Sequence, residues 1–498
     1  MIRTLLMAAM TAAVLIAQPA RAQYARETFV VAMPGDAATL DPHLHWDTDS
    51  YMVYRNVFDN LVTRDPEGRI VPQVATGWRY LDDRTIEFDL RMNIRFHDGS
   101  PLTVDDVVFS IRRVTDPALK SPQLSQFDQI DTVEAVGQAK MRMKTKSTYP
   151  ALMAQLVKMS IVPKAYVEKV GDQKFNLEPM GSGPYRFKSW QKGIGITLEA
   201  NDTYWGGRPP FRTLAFRLVP DLSTRVADLK TGKADLARGL TPDQAQQVKA
   251  DRNLQVLSGP TERIGYLFIN AMQPPTDDRR VRQALAYAID RKTIIEALLQ
   301  GYANPVEVML TPASTGYVDD VKGYPFDPVR ARALIKEAGA EGKTLTFLTS
   351  PVYDARIVQA IQQMLSDVGL KVEIQTMDQP TFLRRRQGRP DEAGNLSLGR
   401  WSCACQDADG VIFPMFRSGS PWSKYANPAF DAEVDAARVI IDESRRKTHY
   451  RRAFEILNED MASLPLYQDY AIYAARRELR WKPTPAEALT VMNMQWVP

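Results

Sequence analysis

The stretch Gly265-Tyr266-Leu267-Phe268-Ile269-Asn270 decides the fold class, because it leads from a buried strand towards a helix. Its β-branched and aromatic side chains favour a strand. Pro274 and Pro275 end that strand. Beyond them, apolar residues recur every three or four positions from Val281 to Leu298, which predicts a helix that buries one face. A strand that runs into a long helix in mid-chain indicates a large α/β protein.

The first 22 residues have the pattern of an export signal. Arg3 gives a positive start, an apolar run covers residues 5–16, and Ala20-Arg21-Ala22 offers small residues for cleavage. The run is too short to cross a bilayer of about 30 Å. We therefore predict a signal peptide over residues 1–22, cleaved near Ala22. The mature protein is expected in the periplasm of a Gram-negative cell, or in the medium.

Composition narrows the class of protein. A chain of 498 residues, 44% hydrophobic and 24% charged, can bury a large core and has the length of about three domains. Removing Arg3 and Arg21 lowers the net charge from +4 to about +2. Because positive and negative charges nearly balance, the protein has no broad positive potential that would attract nucleic acid, which is not an expected partner. Two cysteines are too few for a disulfide-rich scaffold.

Several motifs follow one another along the mature chain. They are Val74-Ala75-Thr76-Gly77-Trp78, Phe96-His97-Asp98-Gly99-Ser100-Pro101-Leu102-Thr103, Gly181-Ser182-Gly183-Pro184-Tyr185, Gly232-Lys233-Ala234-Asp235 and Tyr425-Ala426-Asn427-Pro428. In this order they resemble the extracellular solute-binding proteins of family 5, the cluster C components of ABC importers for dipeptides, oligopeptides and nickel.

The resemblance implies a periplasmic binding protein type II-like α/β fold, in which two lobes joined by a hinge close on a ligand. The implied boundaries are 23–43, 183–264 and 472–498 for lobe I, 44–182 for a subdomain inserted in lobe I, and 265–471 for lobe II. The implied partners are a peptide or other small solute and an ABC permease in the inner membrane. The protein is expected to act as a monomer, without a cofactor.

Two other classes of function stand beside this one. A peptide-binding chaperone or receptor on the same fold would differ only in its partner. An exported hydrolase would need a nucleophile and a base, but the four histidines accompany no nucleophile elbow, HExxH helix or CxxC pair. We therefore predict that the protein is not an enzyme and has no catalytic or metal site.

The segment from Leu398 to Asp409 is predicted to line the pocket. Dipeptide binders of the family have an aspartate three residues after a strand-end tryptophan, where this chain has Ala404. The loop 349–354 also lacks the arginine that would meet the ligand carboxylate, and Arg356 comes about one helical turn too late. Burying a dipeptide's unpaired ends is costly, so ordinary dipeptides are disfavoured. Longer or modified peptides, opine-like or glutathione-like conjugates and uncharged polar solutes remain open.

Five residues are the predicted ligand contacts. They are Asp36, in the loop after the first strand of lobe I, and Tyr353, Trp401, Ser402 and Cys403 in lobe II. Cys403 and Cys405 point to the same side of an extended segment. They are predicted to form a strained disulfide, to remain two thiols, or, less favoured, to bind a metal.

Overall fold

The computed structural model describes residues 24–45, 47–403 and 405–497. The predicted signal peptide, its cleavage site near Ala22, and Ala404 lie outside these ranges. Within them, none of the helices combines the length and the apolar character needed to cross a membrane.

The described part of the chain contains both strands and helices. In chain order the strands are β1 (Arg26–Met33), β2 (Val62–Arg64), β3 (Ile70–Pro72), β4 (Ala75–Asp82), β5 (Thr85–Leu90), β6 (Ile130–Ala135), β7 (Lys140–Thr145), β8 (Tyr185–Gln191), β9 (Gly195–Ala200), β10 (Phe211–Leu218), β11 (Leu236–Arg238), β12 (Leu254–Ile269), β13 (Ala303–Asn304), β14 (Thr344–Thr349), β15 (Lys371–Thr376), β16 (Leu396–Trp401), β17 (Ser463–Arg476), β18 (Leu479–Arg480) and β19 (Gln495–Trp496). The helices are α1 (Thr48–Tyr54), α2 (Val104–Thr115), α3 (Leu124–Phe127), α4 (Leu152–Leu156), α5 (Lys164–Val170), α6 (Asp172–Leu177), α7 (Leu222–Lys230), α8 (Pro242–Lys249), α9 (Arg279–Ala288), α10 (Arg291–Thr293), α11 (Pro328–Glu337), α12 (Ala355–Ser366), α13 (Gln379–Gln387), α14 (Asp409–Phe416), α15 (Pro428–Ala437) and α16 (Glu443–Asp460).

One ribbon of two long strands joins the halves of the largest sheet. The sheet has 11 strands in the order β15-β14-β16-β12-β17-β11-β1-β10-β9-β8, with β13 on β17. β12 has 16 residues and β17 has 14, and they pair antiparallel from Leu254 opposite Arg476 to Phe268 opposite Ser463. At about 3.3 Å per residue, β12 spans about 50 Å. We call this pair the bridging ribbon.

The bridging ribbon changes register near its middle. Regular pairing is lost between Pro260 and Ile264. The hydroxyl of Thr261 donates to the carbonyl of Asp469 over 2.9 Å, and the Gln468 amide donates to the carbonyl of Thr261 over 2.7 Å. These bonds replace the regular ladder in a bulge, which turns side chains away from the positions that a flat strand would give them.

Each half of the sheet is covered on both faces. In β12, Leu267 and Ile269 contribute to a core that contains residues of α9, α11 and α12, whereas Tyr266 and Phe268 contribute to another core, with residues of α14, α15 and α16. The alternation confirms the predicted buried strand. In the other half, β1 likewise contributes Phe29 to one core and Ala32 to another.

A four-stranded antiparallel sheet, ordered β4-β5-β7-β6, forms a separate unit. Its core draws on residues between Leu61 and Ile161, including the buried face of α2. Thr103 caps α2, and its backbone N–H donates to the Asp106 carboxylate over 2.9 Å. The chain enters and leaves this unit at one place, where Asn60 and Ser160 form a β-bridge. The domain boundaries given above remain a prediction.

The predicted helix from Val281 to Leu298 is interrupted. Asp278 caps α9 and accepts from the N–H of Arg280 over 2.8 Å. However, α9 ends at Ala288, Ile289 is extended, and Asp290 starts a new helical segment by accepting from the N–H of Thr293 over 3.1 Å. This aspartate competes locally for backbone N–H groups, which periodicity alone does not reveal.

Two glycines in the central strands lie under tyrosine rings of the neighbouring strand. Gly265 is paired with Tyr467 across the bridging ribbon, and Gly399 of β16 is paired with Tyr266. A Cβ atom at Gly265 would lie 2.5 Å from Cε2 of Tyr467, and one at Gly399 would also clash with its tyrosine. Both positions therefore need glycine for close packing.

We predict that Gly265→Ala lowers the free energy of unfolding by about 1–3 kcal/mol, because the methyl group overpacks the ring of Tyr467. Urea denaturation measures the change. The control is Gly77→Ala in β4, where no atom lies within 4 Å of an added Cβ, and a change within about 0.5 kcal/mol is expected there. Equal losses in both variants would contradict the packing argument.

Candidate functional site

A cavity of about 710 Å³ lies beside the bulge of the bridging ribbon. One side is lined by residues between 45 and 51, between 123 and 129, and between 149 and 158. The opposite side is lined by residues between 401 and 438, and Glu262, Arg263 and Glu487 complete it. The volume is in the range of cavities that enclose a small-molecule ligand.

Trp401, Ser402 and Cys403, three of the five predicted ligand contacts, line this cavity, and their contact with a ligand stays a prediction. Trp401 is the last residue of β16 and is paired with Ile264 of β12. Its indole N–H donates to the carbonyl of Gly410 over 3.2 Å, and its ring meets that of Trp422 edge-on at 5.4 Å between centroids. These contacts fix a flat aromatic surface on the cavity.

Cys403 and Cys405 are joined by a disulfide, with their Cα atoms 5.0 Å apart. Of the three alternatives left open by the sequence, the structure contains this one. Gly410 lies against the bond, and a Cβ atom there would clash with both sulfur atoms. On the other side, Arg64 donates a hydrogen bond to the carbonyl of Cys405. The disulfide loop is thus held between the start of α14 and β2.

Asp407 and Asp409 follow the disulfide and are bound within the protein. Asp407 receives two hydrogen bonds from Arg446, each of 2.6 Å, and both residues are buried. The carboxylate of Asp409 lies 2.8 Å from Nε of Arg438, poorly aligned for a hydrogen bond, and burial raises its pKa to about 6. These contacts give Asp407 a structural role and leave Asp409 beside the cavity.

A second cavity, of about 370 Å³, continues along the same strand. It is lined by Leu398, Gly399 and Arg400 of β16 and shares Glu487 with the first cavity. Tyr353 lies here, with its ring 5.3 Å from that of Phe382, and burial raises its pKa to about 12. Tyr353 and Trp401 therefore belong to two parts of one cleft.

Asp36 is not among the described residues that line either cavity. Its carboxylate accepts hydrogen bonds from the indole of Trp190 over 3.2 Å and from the N–H of Gly193 over 2.8 Å. The structure thus brings Trp401, Ser402 and Cys403 together and places Tyr353 in the adjoining cavity. Asp36 instead links the loop after β1 to the turn between β8 and β9.

Among the charged residues of the first cavity that sequence reasoning missed are Lys158, Glu262 and Arg263. The signal available for Glu262 and Arg263 was a pair of charged residues directly before the apolar part of a strand. Arg263 donates to the Glu487 carboxylate over 2.7 Å. Lys158 and Glu262 are only 7% and 8% exposed.

The cleft lies between two parts of the protein that have separate hydrophobic cores, and long strands run from one part to the other. This arrangement is that of a binding protein that encloses a solute. A sequence model of the bacterial extracellular solute-binding proteins, family 5, matches residues 69–423. The chain belongs to this family, which confirms the predicted role as the solute-binding component of an ABC importer. Members of the family are extracellular solute-binding proteins.

Individual relatives are similar along nearly the whole chain. The glutathione-binding protein GsiB of Escherichia coli (strain K12) is 28% identical over 472 residues, which cover 92% of each chain. The protein of the same name from Pectobacterium atrosepticum is 29% identical over 493 residues, covering 96% of this chain and 95% of its own.

Solved structures share the fold. The periplasmic binding protein DppA from Helicobacter pylori, in complex with the peptide STSA, has a TM-score of 0.81 at 24% identity, over 95% of this chain and 99% of its own. The substrate-binding protein CtaP from Listeria monocytogenes has a TM-score of 0.86 at 24% identity, over 95% and 100% of the two chains. These likenesses confirm the predicted α/β binding-protein fold.

We predict that Arg446→Met lowers the free energy of unfolding by about 3–5 kcal/mol, because it leaves the buried Asp407 carboxylate without its counter-charge. Urea denaturation measures the loss. Arg451→Met is the control, because Arg451 lies on the same helix and its ion pair with Asp320 is exposed. A change below about 1 kcal/mol is expected there. A small effect of Arg446→Met would mean that Asp407 is not held by this pair.

Proposed function

We propose that the mature protein captures a peptide, a peptide-like conjugate or another small polar solute in the periplasm and delivers it to an ABC permease. The carrying observation is the cavity of about 710 Å³ between the two sides of the cleft. The signal peptide directs export and is removed near Ala22, and the protein acts as a monomer. The lobes are those given above: 23–43, 183–264 and 472–498 with the insert 44–182, and 265–471.

Closure of the cleft is proposed as the step that the permease reads. A solute that touches both sides binds the closed form better than the open form, and only this difference in affinity shifts the population. Several polar contacts already cross the cleft. Arg64 binds the carbonyl of Cys405, and Asp243 accepts a hydrogen bond from Gln300 and pairs with Arg356 over 3.3 Å.

The contacts of two of the four histidines, His43 and His97, support a binding protein over a hydrolase. His43 accepts from Arg113 and its other ring nitrogen binds the carbonyl of Ser160 over 2.9 Å. His97 contacts the carbonyl of Gly183 over 3.1 Å and the N–H of Gly181. Burial lowers the pKa of each to about 4, so both are neutral. Their ring nitrogens are used in structural hydrogen bonds, which leaves neither as a free base.

Native mass spectrometry of the purified mature protein, before and after denaturation, tests the proposal. A released peptide, conjugate or sugar would support it and reveal the chemical class of the solute. If no solute is released, the protein is screened by thermal shift against peptides, glutathione, opines and sugars. Absence of binding across that panel would contradict the proposed function. Co-purification with unfolded proteins instead of a permease would favour the chaperone alternative.

We predict that Trp401→Ala weakens binding of a solute found in this way by roughly ten- to hundredfold, because a rigid aromatic contact is lost from the cleft. Isothermal titration calorimetry, with reduced glutathione as the first probe, measures the change. Trp78→Ala is the control, because Trp78 is a partly buried tryptophan of β4 outside the cavity. Unchanged affinity in Trp401→Ala would place the solute elsewhere.

A further inference from the structure

The first cavity contains two buried charges that have no ion-pair partner. The charged residues that line it are Asp47, Asp128, Lys158, Glu262, Arg263, Asp409, Arg438 and Glu487. Arg263 is paired with Glu487, and Arg438 with Asp409. Asp47 caps α1, and Asp128 is exposed. Lys158 and Glu262 remain, both buried, and neither forms an ion pair with any residue in the described ranges.

Glu262 comes to the cavity through the bulge in the bridging ribbon. Its Oε2 atom is buried and accepts no hydrogen bond from a residue that the structure describes. The neighbouring charges are Arg263, Glu487 and Lys158, and burial raises the pKa of the carboxyl above its usual value. A buried carboxylate with a free acceptor can bind a cation or an ammonium group brought by a ligand.

Lys158 comes to the cavity from the other side, on the segment that follows α4. Its ammonium group donates to the side-chain oxygen of Gln126. An ammonium has three donors, so this bond leaves two for another acceptor. Burial lowers the pKa of Lys158, and the charges that act on it are Glu262 and Arg64. A carboxylate brought by a ligand would satisfy the remaining donors.

We propose that Glu262 and Lys158 are the two charged anchors of the cleft, and that its solute carries both an ammonium and a carboxylate group. This inference rests on the proposed function and narrows its solute to zwitterions. When the cleft closes on a neutral solute, water leaves and the two buried charges keep only the through-space attraction of each other and of Arg263, with no direct ion pair in place of the lost solvation. A zwitterion supplies both missing partners. The anchors thus replace the acidic and basic residues that the sequence lacks at Ala404 and in the loop 349–354.

The test is calorimetric titration with matched probes: reduced glutathione and the tripeptide trialanine, each free, N-acetylated or amidated at its carboxyl termini. In the wild-type protein, each block is expected to weaken binding at least tenfold. In Glu262→Gln the N-acetyl block should make less than a threefold difference, and in Lys158→Met the same holds for the amide block. Glu199→Gln and Lys188→Met, an exposed pair on β9 and β8, should leave all affinities unchanged.

Each outcome is decisive. If blocked and free probes bind alike, or the variants respond like the controls, the two residues are not the anchors, although the proposed function stands. If no zwitterion binds but an uncharged sugar does, the inference is again overturned and the proposed function stands. If nothing in the screening panel binds, both fail. Circular dichroism of each variant, expected to match wild type, separates lost anchoring from lost folding.

Proton release on binding is a second measurement of the anchor role of Glu262. It would not change if Glu262 had only a structural role. Because the pKa of Glu262 is raised in the free protein, part of the carboxyl is protonated at pH 6. An ammonium ligand favours the ionised form, so binding at pH 6 should release protons. The binding enthalpy should therefore depend on the ionisation enthalpy of the buffer. Glu262→Gln should abolish the release, and wild-type binding without any release would contradict the anchor role.

Discussion

The bridging ribbon is the constraint on which the rest of the structure depends. Its two strands carry backbone hydrogen bonds from one half of the large sheet to the other, so both halves share one continuous frame. The irregular pairing between Pro260 and Ile264 lies near the middle of this frame. A bulge loosens the ladder locally without cutting the strand. The same few residues present Glu262 and Arg263 to the cleft.

Local sequence signals predicted individual strands and helices because the formation of these elements depends on residues that are neighbours along the chain. The apolar run around Phe268 is a buried strand, as expected, and Thr103 and Asp278 cap their helices. The resemblance to the family, rather than a local signal, led to Trp401, Ser402 and Cys403, which line the first cavity, and their contact with a ligand stays a prediction. The break at Ile289 was missed because one short side chain, that of Asp290, decides it.

The remaining parts of the site depend on contacts between distant segments. Asp36 is an acidic residue in a loop after a strand, which is why it was predicted to contact the ligand. Its carboxylate instead accepts hydrogen bonds from Trp190 and Gly193. Lys158 and Glu262 are about a hundred residues apart in sequence, and no periodicity connects them. Both residues line the same cavity because the bulge presents Glu262 to it and the four-stranded unit places Lys158 beside it. Positions of this kind can be recognised only when burial and partners are known.

The shared entry and exit of the four-stranded unit affects how such a protein can diversify. Its two connections lie side by side at Asn60 and Ser160, and its core is separate from those of the large sheet. The segment around Lys158 that lines one side of the cleft belongs to this unit. Insertion, exchange or rapid divergence of the unit would therefore alter what the cleft accepts while the bridging ribbon stays intact. The two proposed anchors therefore differ in what constrains them: Lys158 can change together with the unit, whereas Glu262 lies on the bridging ribbon and is tied to the frame of the large sheet.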